Sequence, residues 1–329
     1  MEFTPKYFNP AQAGGATIDE RGSVSFRAGE RPDAVYVYNR RTILTLNVAL
    51  ATGRPLLISG EPGSGKSMLA RNAAAVMGCW FYQETVTSRT QASDLLWTFD
   101  TLRRLSDAQM SGQQLFPKNY YVDPGTLWWA FDPRTAEQRG LGELPAAHQQ
   151  HRASDPGIAP GDGHAQRAVV LIDEIDKADP DVPNDLLEPF DVRSFTIRET
   201  NDRITARRDT ILILTTNGER ELPQAFLRRC VALTLDAPTE DWFVSIANQK
   251  FGAGGDSLHR EVAREVMRHR AAAKKARFRQ PSTSEYLDAL DVCRDLGIDT
   301  SSSIWTDVAR SVLWKNERPP ELETVAGQS

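Results

Sequence analysis

The sequence predicts an α/β fold: a parallel five-stranded sheet sandwiched by helices, followed by a small α-helical lid domain. Three observations lead there. Five short apolar runs, at residues 55–59, 80–85, 168–172, 210–215 and 231–235, alternate with helical patterns. Near-continuous apolar strands of that kind belong to parallel sheets covered on both faces. The first run passes directly into Gly60-Glu-Pro-Gly-Ser-Gly65-Lys66-Ser67 and then into a helical stretch, and after Leu235 only helical patterns remain.

Taken in order, residues 1–33 are rich in Gly, Pro and charge and show no sustained period. Segment 1–37 therefore reads as an extended arm, lying on the domain or partly disordered. Tyr38, Ile43, Leu44, Leu46, Val48 and Leu50 predict an amphipathic helix over 38–52, ended by Gly53 and Pro55. The α/β domain runs over 38–238 with two inserts. Residues 86–167 are far longer than a strand-to-helix connection. Their second half, 132–166, is rich in Gly, Pro, Ala, His and Gln and reads as a mobile surface loop. It carries His148, His151 and His164 without the i, i+4 spacing of a metal site. Residues 194–206 alternate polar and apolar on both sides of Thr200-Asn201-Asp202, a β-hairpin pattern. In the lid domain, 239–316, helical patterns cover 241–251, 257–277, 282–296 and 303–316. Ser282 with Glu285 forms a capping box at the start of the third, and Gly297 ends it. The polar tail 317–329 reads as frayed.

Composition excludes several classes. The chain has 329 residues, 40% apolar and 25% charged, as in an ordinary water-soluble domain pair. A net charge of −5 gives no push toward nucleic acid or an anionic membrane. No stretch approaches bilayer-spanning length and no signal peptide is visible. Cys79, Cys230 and Cys293 are widely spaced, which argues against a disulfide framework and fits a reducing, cytoplasmic setting.

The motifs carry the chemistry. Residues 60–67 match G-x-x-x-x-G-K-S/T, a P-loop, placed after a buried strand and before a helix. Its glycines let successive N–H groups converge on phosphate, and the helix start adds its positive end. Gly60, Glu61, Pro62, Gly63, Ser64, Gly65, Lys66, Ser67 and Met68 are thus candidate nucleotide-binding residues. Lys66 is suited to the β- and γ-phosphates and the Ser67 hydroxyl to Mg²⁺. The run Val169-Val-Leu-Ile-Asp173-Glu174 is an apolar strand ending in two acids. Asp173 is a candidate for the Mg²⁺ shell and Glu174 for polarising a water. Asp176 reads as a structural contact at a helix start. Asn217, at the end of the next strand, either orients that water or caps a turn. Arg228 and Arg229 end a short helix. They either complement its dipole or are offered as an arginine finger to a neighbouring subunit. Of Trp128 and Trp129, one is exposed for a partner or both lie under the insert.

The ordered set Gly-Glu-Pro-Gly-Ser-Gly-Lys-Ser, Val-Leu-Ile-Asp-Glu-Ile-Asp-Lys, Leu-Thr-Thr-Asn and Ala-Phe-Leu-Arg-Arg-Cys resembles an AAA+ ATPase. The run Tyr121-Val-Asp-Pro-Gly-Thr-Leu-Trp-Trp-Ala-Phe131 and the run Asn184-Asp-Leu-Leu-Glu-Pro-Phe190 make it most similar to the MoxR type. The resemblance covers about 38–316. It implies that 60–67 is Walker A, that Asp173 and Glu174 are Walker B, that Asn217 is sensor 1, and that Arg229, or Arg228, is the finger. It further implies ATP and Mg²⁺, a ring, usually a hexamer, with ATP at subunit interfaces, and a client or adaptor protein. A partner with a von Willebrand A domain is also implied. The hairpin at 194–206 and part of 86–130 would be the family's inserts. One departure stands out: Pro281-Ser-Thr-Ser-Glu285 carries no sensor-2 arginine, and Arg277 and Arg279 lie upstream in the wrong register. The other readings of the chain are an ATP- or GTP-driven motor or loader subunit of a nucleic-acid-directed restriction or defence complex, and a P-loop small-molecule kinase. Against the first stands the acidic charge, and against the second the lid and Arg229.

Overall fold

A computed structural model describes residues 3–18, 23–27, 35–110, 115–142, 151–160, 166–252, 255–276 and 278–315. His148, His164, Arg277 and the tail 317–329 lie outside the described residues. In chain order the first elements are strands β1 (Thr17–Ile18), β2 (Val24–Arg27) and β3 (Val35–Tyr38), helix α1 (Arg40–Thr52), β4 (Leu56–Ser59), α2 (Lys66–Val76) and β5 (Trp80–Thr85). Then come β6 (Trp97–Phe99), α3 (Thr101–Gln109), β7 (Val122–Pro124), α4 (Thr126–Phe131), α5 (Pro133–Glu137), β8 (Arg167–Asp173) and α6 (Val182–Val192). The hairpin strands β9 (Ser194–Thr196) and β10 (Arg203–Thr205) precede β11 (Asp209–Thr216), α7 (Gln224–Leu227) and β12 (Val231–Thr234). Among the described residues α8 (Glu240–Phe251), α9 (Asp256–Ala276), α10 (Thr283–Leu296) and α11 (Ser303–Ala309) follow, the last continuing into a wider helical turn at Arg310–Trp314.

By compactness the chain forms two units. The first comprises Met1–Asn9, Arg40–Ser59 and Leu69–Thr234, and the second Pro10–Asn39, Gly60–Met68 and Leu235–Ser329.

The first unit is built on a five-stranded sheet in the order β12-β4-β11-β8-β5, with every pairing parallel. The apolar runs explain it. Ala168 to Ile172 and Leu212 to Leu214 are almost wholly buried, because a parallel sheet covered by helices on both faces has no solvent side. The strand order gathers the polar strand ends: β11 lies between β4 and β8, so Ser59, Thr216 and Asp173 end on the same edge. On the outer side of β5 there is one antiparallel bridge, in which the Phe81 amide donates to Ile158 at 3.0 Å and the Ile158 amide donates to Phe81 at 2.8 Å. It covers part of an edge otherwise open to pairing.

Both tryptophans are buried, at 0% and 3% exposure, so neither is presented to a partner. The six residues of α4 are buried all round, as an all-apolar helix must be. Trp128 packs edge-on to Phe195 of the hairpin at 5.8 Å and donates its indole N–H to Thr135 Oγ1 at 3.0 Å. The hairpin forms as the alternation predicts, with Asn201 in the left-handed region at the turn. The 132–166 segment is more ordered than a surface loop in its described part: it contains α5, the Ile158 bridge, and His151 packed against Phe116 and Tyr120.

In the second unit, the described residues of the N-terminal segment depart from an aperiodic arm. β1, β2 and β3 form an antiparallel sheet. Tyr38 ends β3 rather than opening a helix, and α1 starts at Arg40. Val-Tyr-Val-Tyr over β3 has the β-branched and aromatic content of a strand. Tyr36 and Tyr38 pack ring against ring at 4.8 Å and are buried. The helices α8 to α11 enclose a core that includes Phe243, Val266, Tyr286 and Leu290. Both bonds of the capping box form at the start of α10: the Ser282 amide donates to Glu285 Oε2 at 2.7 Å, and the Glu285 amide to Ser282 Oγ at 3.4 Å. Gly297, at φ 61°, closes that helix.

Trp128→Ala removes the largest fully buried side chain of the first unit, and chemical denaturation should show a loss of about 3–5 kcal/mol.

Candidate functional site

The P-loop follows β4 without a break. Gly60, Glu61, Pro62, Gly63, Ser64 and Gly65 form the turn, and Lys66, Ser67 and Met68 open α2. Gly63 and Gly65 have φ of 77° and 90°, which only glycine adopts without strain. Gly65 also leaves room for a ring: a Cβ there would lie 3.3 Å from Tyr36. The Lys66 ammonium curls over the turn and donates to the carbonyls of Gly60 at 2.8 Å and Glu61 at 3.1 Å. The Ser64 hydroxyl is buried within the turn, and among the described residues its oxygen has no hydrogen-bond partner. A glycine cradle, an orphaned hydroxyl, a lysine and a helix start together fit a phosphate chain.

The second cluster lies at the ends of β8 and β11, in the first unit. Thr215 joins the two strands. Its hydroxyl donates to Asp173 Oδ1 and accepts the Glu174 amide at 3.0 Å. Glu174 has φ 60°, a left-handed conformation uncommon for a non-glycine residue, and such strain persists only where neighbours over-determine it. Both of its carboxylate oxygens are engaged: Asn217 Nδ2 donates to Oε1 at 3.2 Å, and Lys177 Nζ to Oε2 at 2.7 Å. The bond to Glu174 holds the Lys177 ammonium above its usual range, against the opposing effect of burial. Asp176, 2% exposed, accepts the Asn217 amide at 3.4 Å on Oδ1 and the Glu219 amide at 2.9 Å on Oδ2. It is a structural contact, as its position suggests, and the loop it shapes carries Asn217.

Arg228 and Arg229 follow α7. Arg229 is 54% exposed, with Asp191 at 3.7 Å, and the Arg228 amide closes the helix on Gln224 at 3.1 Å. On the helical side, Arg279 pairs with Glu285 at 2.8 Å within its own unit. The lid arginine that meets the P-loop is Arg270 instead. Its Nη2 donates to Glu61 Oε2 at 3.1 Å, and Lys274 Nζ donates to Glu61 Oε1 at 2.8 Å. Lys274, and to a lesser extent Arg270, holds the Glu61 carboxyl below the usual carboxylate range.

Sequence reasoning missed three of these residues. Lys177 had a local signal, since it stands three residues after Glu174 on a helical turn. Thr215 and Arg270 act across long separations and had none.

The family profile of the AAA domain, dynein-related subfamily, matches residues 55–230, just over half of the chain. The chain belongs to the AAA family. Membership covers the P-loop, the acidic strand and the arginine pair together, and it implies nucleotide binding. The crystal structure of a candidate ATPase from Cytophaga hutchinsonii is similar over 69% of this AAA chain, at 16% identity and a TM-score of 0.40. This chain covers 57% of that one. No curated protein matches. Among the described residues, no helix is long and apolar enough to cross a membrane.

Thr215→Val keeps the shape but leaves the half-buried Glu174 amide without its acceptor. It should cost about 1–3 kcal/mol in denaturant unfolding.

Proposed function

We propose that this chain is a MoxR-type AAA+ ATPase, which binds and hydrolyses ATP at the subunit interfaces of a ring, a hexamer by family analogy, to remodel or mature a partner protein. The observation that supports it most is the polar edge of the sheet. In the first unit β8 ends in Asp173, Glu174 follows it, and β11 beside it runs out to Asn217, which is bonded to Glu174; β4, on the other side of β11, continues in sequence into residues 60–67. An acid held in place by a polar neighbour is what phosphoryl transfer calls for, where catalysis is mostly positioning and charge stabilisation.

In this reading Gly60 to Met68 hold the triphosphate. Lys66 exchanges its loop carbonyls for the β- and γ-phosphates. Ser67 and Asp173 are the residues that would hold Mg²⁺, which would offset phosphate charge when bound. Few protein oxygens are required, because Mg²⁺ usually takes one or two carboxylates and completes its shell with water and phosphate. Glu174 accepts a proton from the attacking water. Asn217 orients Glu174, and Thr215 fixes the strand ends so that both acids keep their places. Lys177 restrains Glu174 until the carboxylate turns to the water. The exposed Arg229, with Arg228 beside it, reaches the γ-phosphate of a neighbouring subunit. Client, adaptor and any von Willebrand A partner follow from the MoxR analogy; a cytoplasmic location rests on the widely spaced cysteines.

Turnover per protomer should rise with protein concentration, because a neighbour completes the site; a flat rate from a monomer would contradict the ring. Glu174→Gln should retain ATP and lose at least about 100-fold in phosphate release. Arg229→Ala should bind ATP yet turn over poorly, and mixing it with Lys66→Ala protein should restore part of the activity. No recovery on mixing would remove the finger from Arg229.

A further inference from the structure

The turn at 60–65 is gripped on its outer side by helices of its own unit at two points. At Glu61, the carboxylate accepts Arg270 on one oxygen and Lys274 on the other. These two cations are i and i+4 on α9, hence on one face of that helix. At Gly63, the carbonyl accepts the Thr283 hydroxyl at 2.8 Å, and a Cβ would fall 2.8 Å from the Cα and Cβ of Ser282. The two grips are joined by one side chain. Arg270 is 5% exposed, and while one arm of its guanidinium holds Glu61, the other donates to the Pro281 carbonyl, at the entry to α10. A planar fork can bridge two fixed acceptors in this way, and an ammonium cannot reproduce it. Lys274, 68% exposed, adds only a solvated ion pair.

We propose that Arg270 is a positioning residue for the nucleotide: it ties the end of α9, the start of α10 and the P-loop into one clasp, so that the helices set the shape of the phosphate-binding turn. The chain thereby couples its lid to its P-loop without an arginine at 281–285. This rests on the nucleotide reading above. A loop whose amides must converge on one phosphate binds more weakly when it is free to open. By linkage, nucleotide must then tighten the clasp by the factor with which the clasp tightens nucleotide.

The test is a titration of the full chain with the fluorescent analogue mant-ATP and Mg²⁺, alongside thermal unfolding without nucleotide. Arg270→Ala should weaken binding about tenfold, in the usual range of coupling between sites. Arg270→Lys should not restore it, and Lys274→Ala should change it by less than about twofold. Glu61→Gln and Arg270→Ala should not add: the double variant should bind no worse than the weaker single one. In hydrogen exchange, Mg²⁺ with ATPγS should slow the amides of 280–286 in the wild-type chain and leave them unchanged in saturated Arg270→Ala. Should Arg270→Ala fail to fold, Thr283→Ala, which removes only the Gly63 contact, should lower affinity severalfold. Wild-type affinity in Arg270→Ala, or in Thr283→Ala in its stead, overturns the clasp, as do fully additive losses. If the wild-type chain binds no mant-ATP at all, the nucleotide reading falls and the clasp with it. Binding by wild type but not by Lys66→Ala, with Arg270→Ala unaffected, overturns the clasp alone.

Discussion

The parallel order β4-β11-β8 is the constraint on which the rest depends. In a parallel sheet all strands end on one edge, and strands buried on both faces can carry polar groups only there. β8 ends there in Asp173 with Glu174 next in sequence, β11 ends in Thr215 and Thr216 before Asn217, and β4 ends in Ser59, the residue before the glycine turn. With β11 in the middle, Thr215 can serve both Asp173 at the end of β8 and the Glu174 amide after it while its own backbone stays in the ladder. Ligand sites at the carboxyl ends of such strands are the rule for open α/β sheets.

Once the acids are fixed, polar satisfaction shapes the neighbourhood. The left-handed backbone at Glu174 is tolerated only because its amide is taken by Thr215 and its carboxylate by Asn217 and Lys177. Asp176 does the same for the Asn217 loop through two backbone amides. Buried carboxylates that accept backbone N–H groups act as local scaffolding, because leaving those donors unpaired costs more than the bond itself contributes. The grip of Arg270 on Glu61 and Pro281 extends the same logic to the P-loop, where a guanidinium fork bridges two acceptors.

The sheet and the four helices after it were legible in the sequence because each rests on a local pattern: an apolar run, a 3.6-residue period, a capping box, a glycine stop. The P-loop and the acidic strand were legible because their chemistry demands fixed residue types at fixed spacing. The N-terminal strands were not, since β1 to β3 are two to four residues long and acquire meaning only through pairing. Trp128 and Trp129 pointed both ways because adjacent residues on a helix normally face apart. Only enclosure of the short α4 by the sheet and by Phe195 puts both inside. Arg270 was invisible for a different reason: its partner Glu61 lies 209 residues away, and nothing in a one-dimensional pattern links them.

Calorimetric titration of Mg²⁺ with ATPγS into the purified chain tests the central claim most directly, because it asks for nucleotide binding without requiring a ring, a client or turnover. The expected result is saturable binding at one site per chain, abolished when Lys66 is replaced by Ala. Absence of binding by the wild-type chain, or equal binding by the Lys66→Ala variant, would contradict the assignment of residues 60–67 as the nucleotide site.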